Sequence, residues 1–181
     1  QERFYFEETM LMLMNWANQF VQQIDEFKNK KQISLQEAFL QLTPIREQEY
    51  HSECYYVHGF IDAIHNLEEE ISIIDYKTNS SFEIKDSIRL QLAIYCLLYQ
   101  EKHAKIPSKV GIFFLRHKLK MMKVDQELLE LAKKEIELIH SHTSKTIAIQ
   151  DYPQKITPLC KWSSGQCDFY GPCNRFKEEK K

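Results

Sequence analysis

The amino-acid order predicts an α/β domain, a central mixed sheet with helices packed on it. Three patterns carry that expectation: an amphipathic stripe at the N-terminus, two β-prone runs separated by a polar turn, and a helix-then-strand alternation after them. With 181 residues, 43% hydrophobic and 28% charged, the chain is long enough to bury a sizeable core in one domain.

Met10, Leu13, Met14, Ala17, Phe20, Val21 and Ile24 recur at spacings of three and four, which predicts one helix over about residues 4–28. Ser34 with Glu37 three residues on is a capping-box pattern, so a short helix is expected over 33–42. Pro44 turns the chain toward extended geometry, and Arg46 to Tyr50 can start the sheet. Tyr55–Ile64 and Ile71–Tyr76 are rich in β-branched and aromatic residues, with the polar Asn66–Glu70 between them, the pattern of a hairpin. Ile88, Leu92, Tyr95, Leu98 and Tyr99 predict a helix over about 86–102. After Pro107, the unbroken apolar run Val110–Leu115 reads as a buried strand, with Met121–Val124 as its partner. Asp125 caps a last helix to about His142, and Pro153, Pro158, Gly165, Gly171 and Pro172 punctuate the tail.

Lys and Arg number 24 against 26 Asp and Glu, so the net charge of −2 carries no global signature of a nucleic-acid binder, and any such site is a local patch. No apolar run approaches the roughly 20 residues that span a bilayer, and the N-terminus lacks a signal pattern, so no membrane partner and a cytoplasmic, reducing compartment are expected. The five cysteines, Cys54, Cys96, Cys160, Cys167 and Cys173, are odd in number, and three crowd near the C-terminus. A cofactor site explains that better than a disulfide framework. Cys96, among Ala93, Leu97 and Leu98, reads as ordinary core. The chain opens with Gln1 directly inside a helical pattern, and an upstream segment is expected.

Side chains of a strand alternate faces, so Asp75 and Lys77 project from the same side of the sheet. Asp62, on the neighbouring hairpin strand after Gly59, brings a second carboxylate toward them, and Gly59 leaves room for close backbone approach. Paired carboxylates are hard ligands for Mg²⁺ or Mn²⁺, and a lysine beside them can orient or help deprotonate an attacking water. The same residues on a bland reading form a surface ion-pair cluster. Gln91 and Tyr95 share one helix face and can reach a phosphate or base, or Tyr95 can simply be core. Arg116, His117, Lys118, Lys120 and Lys123 read equally as phosphate contacts or as a solvated sheet edge.

The blocks Gly59-Phe60-Ile61-Asp62, Ile74-Asp75-Tyr76-Lys77-Thr78 and Gln91-Leu92-Ala93-Ile94-Tyr95 resemble the RecB-like branch of the PD-(D/E)XK nucleases, which includes the CRISPR-associated iron–sulfur exonucleases. The resemblance spans about residues 45–175 and implies a restriction-endonuclease-like fold. It also implies Mg²⁺ or Mn²⁺ held by Asp62, Asp75 and the Tyr76 backbone carbonyl, catalysis by Lys77 with the two carboxylates, and DNA contact by Gln91 and Tyr95. The implied activity is hydrolysis of phosphodiester bonds, an exonuclease on single-stranded or end-bearing DNA in processing, repair or CRISPR adaptation, within a larger complex. The alternative is a non-cleaving DNA-binding or complex-forming module of the same fold.

Cys160, Cys167 and Cys173 resemble the C-terminal ligands of the [4Fe–4S] cluster in that branch, with zinc as the alternative occupant. The fourth ligand is Cys54 or a cysteine upstream of Gln1. Three departures from the family stand out: the gap from Cys160 to Cys167 is long, residues 1–53 hold no cysteine, and residues 1–50 hold no histidine where the family places a metal ligand. The expected layout is a single nuclease domain with an N-terminal helical part (1–45), a catalytic core (46–150) and a cysteine tail (151–181).

Overall fold

The computed structural model describes residues 2–148, 151, 155 and 157–171, so Cys173, Pro153 and Pro172 lie outside the described residues. The chain divides into two compact units, residues 1–137 and 138–181.

In the first unit, helices α1 (Glu2–Lys31) and α2 (Leu35–Leu42) precede strands β1 (Ile45–Ser52), β2 (Val57–Leu67) and β3 (Glu70–Lys77). Helix α3 (Asp86–His103), strands β4 (Lys109–Phe114) and β5 (Leu119–Lys123), and helix α4 (Gln126–Thr143), which begins in this unit, follow. The predicted caps form: Ser34 and Glu37 close a reciprocal capping box on α2, and Asp125 Oδ1 accepts from Leu128 N at 2.9 Å at the start of α4. The sheet runs in the order β1-β2-β3-β4-β5. All neighbours are antiparallel except β3 and β4, which are parallel because α3 carries the chain back between them. This is the mixed sheet flanked by helices that the sequence predicts.

The two faces of the sheet bury different things. Ile73, Ile112 and Phe114 pack with Leu92, Ala93 and Cys96 of α3 and with Leu128, Leu129 and Ala132 of α4. Ala63, Ile74 and Phe113 face the other way, against Trp16, Tyr76 and Leu119. Among the residues of α1, Ile24 alone is buried, whereas Leu13, Met14 and Val21 are more than half exposed. The N-terminal stripe is therefore helical as expected, but most of it is not core.

Two turns depart from the simplest reading. Glu68 and Glu69 close the β2–β3 hairpin with φ of 51° and 70°, left-handed backbone that Asn and Gly adopt more readily. Lys31 pairs with Glu68 there. The first hairpin strand begins at Val57, not Tyr55, because Glu53–Tyr56 form the turn from β1, with Tyr56 at φ 49°. In β4, Gly111 permits a close approach: a Cβ there would lie 2.3 Å from the Lys120 carbonyl oxygen. At Gly59, where the sequence suggested such an approach, a Cβ would meet Leu98 and Tyr95 at ordinary contact distances of 3.6 and 3.8 Å. The glycine needed for tight backbone packing is thus Gly111.

No described helix is long and apolar enough to cross a membrane.

Candidate active site

The site is built where two strands separate. β2 and β3 pair from Leu67↔Glu70 to Ala63↔Ile74 and then diverge. Beyond that point β2 continues paired with β1 alone, while Asp75, Tyr76 and Lys77 pair with Ile112, Phe113 and Phe114 of β4. Asp62 and Asp75 are the first residues past the fork. The Tyr76 N–H, left without a partner strand on that side, donates to Asp62 Oδ2 at 2.9 Å. A side-chain carboxylate thus takes the place of a ladder carbonyl and is fixed in orientation. On β1, Glu47 lies between the pairs Arg46↔Ala63 and Gln48↔Ile61, at the level of Asp62, with φ 49°.

Asp75 and Lys77 share a face, as strand periodicity requires. Lys77 Nζ lies 2.9 Å from Asp75 Oδ2, with the carboxylate side chain 3% exposed and the lysine 27%. Asp75 Oδ2 is thus a buried carboxylate oxygen whose close partner is the Lys77 ammonium, with the Tyr95 hydroxyl also acting on the carboxyl. Burial pushes the Asp75 carboxyl above the ordinary carboxylate range; the Lys77 ammonium pulls it down and the charge of Asp62 raises it. Two neighbouring carboxylates, one of them buried, have the donor chemistry of a hard divalent-cation site. Among the described residues no group of three or more His, Cys, Asp or Glu side chains converges as a metal site. A cation held by Asp62 and Asp75 would need a backbone carbonyl or water ligands to complete its shell, which Mg²⁺ coordination accommodates.

Gln91 and Tyr95 are brought to the same place by α3. Gln91 Oε1 accepts from Lys77 Nζ at 3.0 Å, and Gln91 Nε2 donates to the Tyr95 hydroxyl at 2.8 Å. Tyr95 is half-buried, and burial raises its hydroxyl pKa. The helix thereby gives the lysine a second partner besides Asp75, an inward link that the spacing alone does not predict. The i, i+4 spacing placed the two side chains together; no pattern in the sequence signalled that Gln91 would turn to Lys77.

The second unit places Cys160 and Cys167 at the base of a small hairpin, β6 (Lys161–Trp162) with β7 (Gly165–Gln166), where Cys167 N donates to Cys160 O at 3.0 Å. The Thr157 N–H donates to Cys160 Sγ at 3.3 Å. Both thiols are half-buried, and thiolates are the ligand type that iron–sulfur clusters and zinc take. Cys173 lies outside the described residues; Cys54 is exposed in the β1–β2 turn of the first unit.

Two carboxylates and a lysine thus come together at a sheet fork, a set of groups whose chemistry suits a divalent cation and a phosphate ester. The chain belongs to the PD-(D/E)XK nuclease superfamily, whose sequence profile matches residues 6–174. The CRISPR-associated exonuclease Cas4 of Francisella tularensis subsp. novicida (strain U112) is 30% identical over 125 residues, 68% of this chain and 59% of that protein. The chain thus spans less than two thirds of that relative. A solved Eubacterium rectale structure, provisionally assigned as an exonuclease, is 12% identical with a TM-score of 0.41, covering 76% of this chain and 66% of that one. An overlap of that extent leaves the fold to the strand order and register described above.

Proposed function

We propose that the chain is a metal-dependent deoxyribonuclease that hydrolyses phosphodiester bonds, with Asp62, Asp75 and Lys77 as its catalytic residues. The observation that carries this reading is the fork itself: Asp62 oriented by the Tyr76 N–H, Asp75 buried beside it, and Lys77 Nζ 2.9 Å from Asp75 Oδ2. Asp62, Asp75 and the Tyr76 carbonyl would hold Mg²⁺ or Mn²⁺. When bound, the cation supplies Lewis-acid activation and neutralises phosphate charge. Lys77, held between Asp75 and Gln91, presents its ammonium at the open end of the fork, where it orients the attacking water and assists its loss of a proton. The similarity to a CRISPR-associated exonuclease supports DNA as substrate, exonuclease action on single-stranded or end-bearing DNA, and work within a larger DNA-processing complex. Cys160, Cys167 and Cys173 would be thiolate ligands of a [4Fe–4S] cluster or zinc.

The test is cleavage of end-labelled single-stranded and duplex DNA with Mg²⁺ or Mn²⁺ and with chelator. Lys77→Ala should abolish metal-dependent cleavage and leave the melting temperature and the iron or zinc content unchanged. DNA binding by the wild-type chain without cleavage in either metal would refute the nuclease reading.

A further inference from the structure

Between Lys77 and α3 runs a segment with no regular structure, Thr78–Lys85, which connects the catalytic strand to the helix that carries Gln91. Backbone pairing with β4 ends at its start, where Leu115 N donates to Lys77 O at 2.9 Å. Beyond that point the carbonyls of the segment take side-chain donors from the β4–β5 turn and β5. Arg116 Nε donates to Thr78 O at 2.7 Å, His117 Nε2 to Ser80 O at 3.0 Å, and Lys120 Nζ to Phe82 O at 2.7 Å. Three basic side chains thus meet three alternate carbonyls, in the manner of a strand that the segment does not form. The Phe82 ring is covered by the same elements, 5.3 Å from Phe114, 5.0 Å from His117 and 3.8 Å from Lys120 Nζ.

Arg116 is the link nearest the chemistry. Its Nη1 and Nη2 each donate to one carboxylate oxygen of Glu8 in α1. Asn15 of the same helix braces the turn by donating to the carbonyls of Leu115 and His117, at 2.8 Å each. The basic run that the sequence left open between phosphate contact and solvated edge is, at Arg116, His117 and Lys120, committed to the protein's own backbone.

We infer that Arg116 is a positioning residue for Lys77: braced by Glu8, it pins the Thr78 carbonyl, and with His117 and Lys120 it holds the exit of the catalytic strand so that the lysine stays at the fork. A strand end tethered on one side frays, and a small misplacement of a catalytic group is costly. This inference rests on the nuclease reading for its catalytic consequence but not for its structural one, and the two can be tested apart.

The experiment compares wild type, Arg116→Ala, Arg116→Lys and Lys123→Ala, the last removing a charge from exposed β5 without touching the segment. Backbone ¹⁵N relaxation should give order parameters near 0.85 over Asn79–Glu83 in wild type and Lys123→Ala, falling below about 0.6 in Arg116→Ala. In metal-dependent cleavage, Arg116→Ala should lower kcat by about 10- to 100-fold with KM and DNA affinity unchanged. Arg116→Lys should recover part of kcat, since one ammonium reaches one of the two acceptors. Unchanged order parameters in Arg116→Ala would overturn the inference. So would weaker DNA binding with a salt slope reduced by about 0.9 and an unchanged kcat, the signature of a lost phosphate contact. A wild-type chain that does not cleave would refute the nuclease reading, while the relaxation arm would still decide whether Arg116 holds the segment.

Discussion

Gln91→Met separates two roles for the α3 residue that faces the site. Gln91 sits between Lys77 Nζ, 3.0 Å from its Oε1, and the Tyr95 hydroxyl, 2.8 Å from its Nε2. Methionine matches its length and removes both bonds. A hydrogen bond to a charged donor in a half-buried setting contributes about 1.5–3 kcal/mol. If that energy holds the ammonium at the fork, its loss appears in the transition state, and about 1.36 kcal/mol per tenfold converts it to a kcat lower by roughly 10- to 150-fold. KM should change little, because the contact is internal. The assay is single-turnover and steady-state cleavage at saturating metal, with thermal melting to show that the fold persists. An unchanged kcat with a raised KM would refute the reasoning and return Gln91 to the DNA-contacting role that the family resemblance implies.

Other perturbations test the frame around the site. Gly111→Ala places a Cβ 2.3 Å from the Lys120 carbonyl and 2.5 Å from Met121 Sδ, so β5 must shift. Chemical denaturation should show a loss of about 1–3 kcal/mol, and Gly59→Ala, in ordinary contact, should show far less. His65 lies in a small cavity lined by Trp16, Phe20, Tyr76 and Phe113, and its Nε2 is buried without a partner. Burial depresses its pKa below the ordinary 6.5, against the hydrogen bond to the Leu42 backbone. The unfolded chain therefore takes up that proton first, so the contribution is complete above pH 6.5 and is lost as pH falls from there through the folded value. His65→Leu should flatten the acid side of the stability curve in that window, and a curve parallel to wild type would count against it. Glu69→Gly, at φ 70°, should raise the denaturation midpoint by relieving left-handed strain of about 1–2 kcal/mol; a fall would place the cost of glycine flexibility above the strain.

Much of this protein is written in local periodicity. The alternation of strand faces puts Asp75 and Lys77 together in any fold that makes Ile71–Lys77 a strand, and helical spacing puts Gln91 beside Tyr95 in the same way. Ser34, Glu37 and Asp125 announce helix starts because their side chains bond the nearest free N–H groups, an interaction within four residues. Other features depend on partners distant in the chain. The fork at Ala63↔Ile74, which turns Tyr76 N–H toward Asp62, exists because β2 stays with β1 while β3 stays with β4. Amphipathic spacing in α1 shows which face can be buried, yet Leu13, Met14 and Val21 remain exposed because burial needs a covering element that helical periodicity does not encode. The same holds for the basic run: charge is legible residue by residue, but the carbonyls of Thr78, Ser80 and Phe82 that receive Arg116, His117 and Lys120 lie 37 or 38 positions away. The sequence alone thus singled out the residues of the proposed centre and determined that Asp75 and Lys77 share one face. The tertiary structure decided how the centre is held, because that depends on which long-range neighbours fill each donor and acceptor.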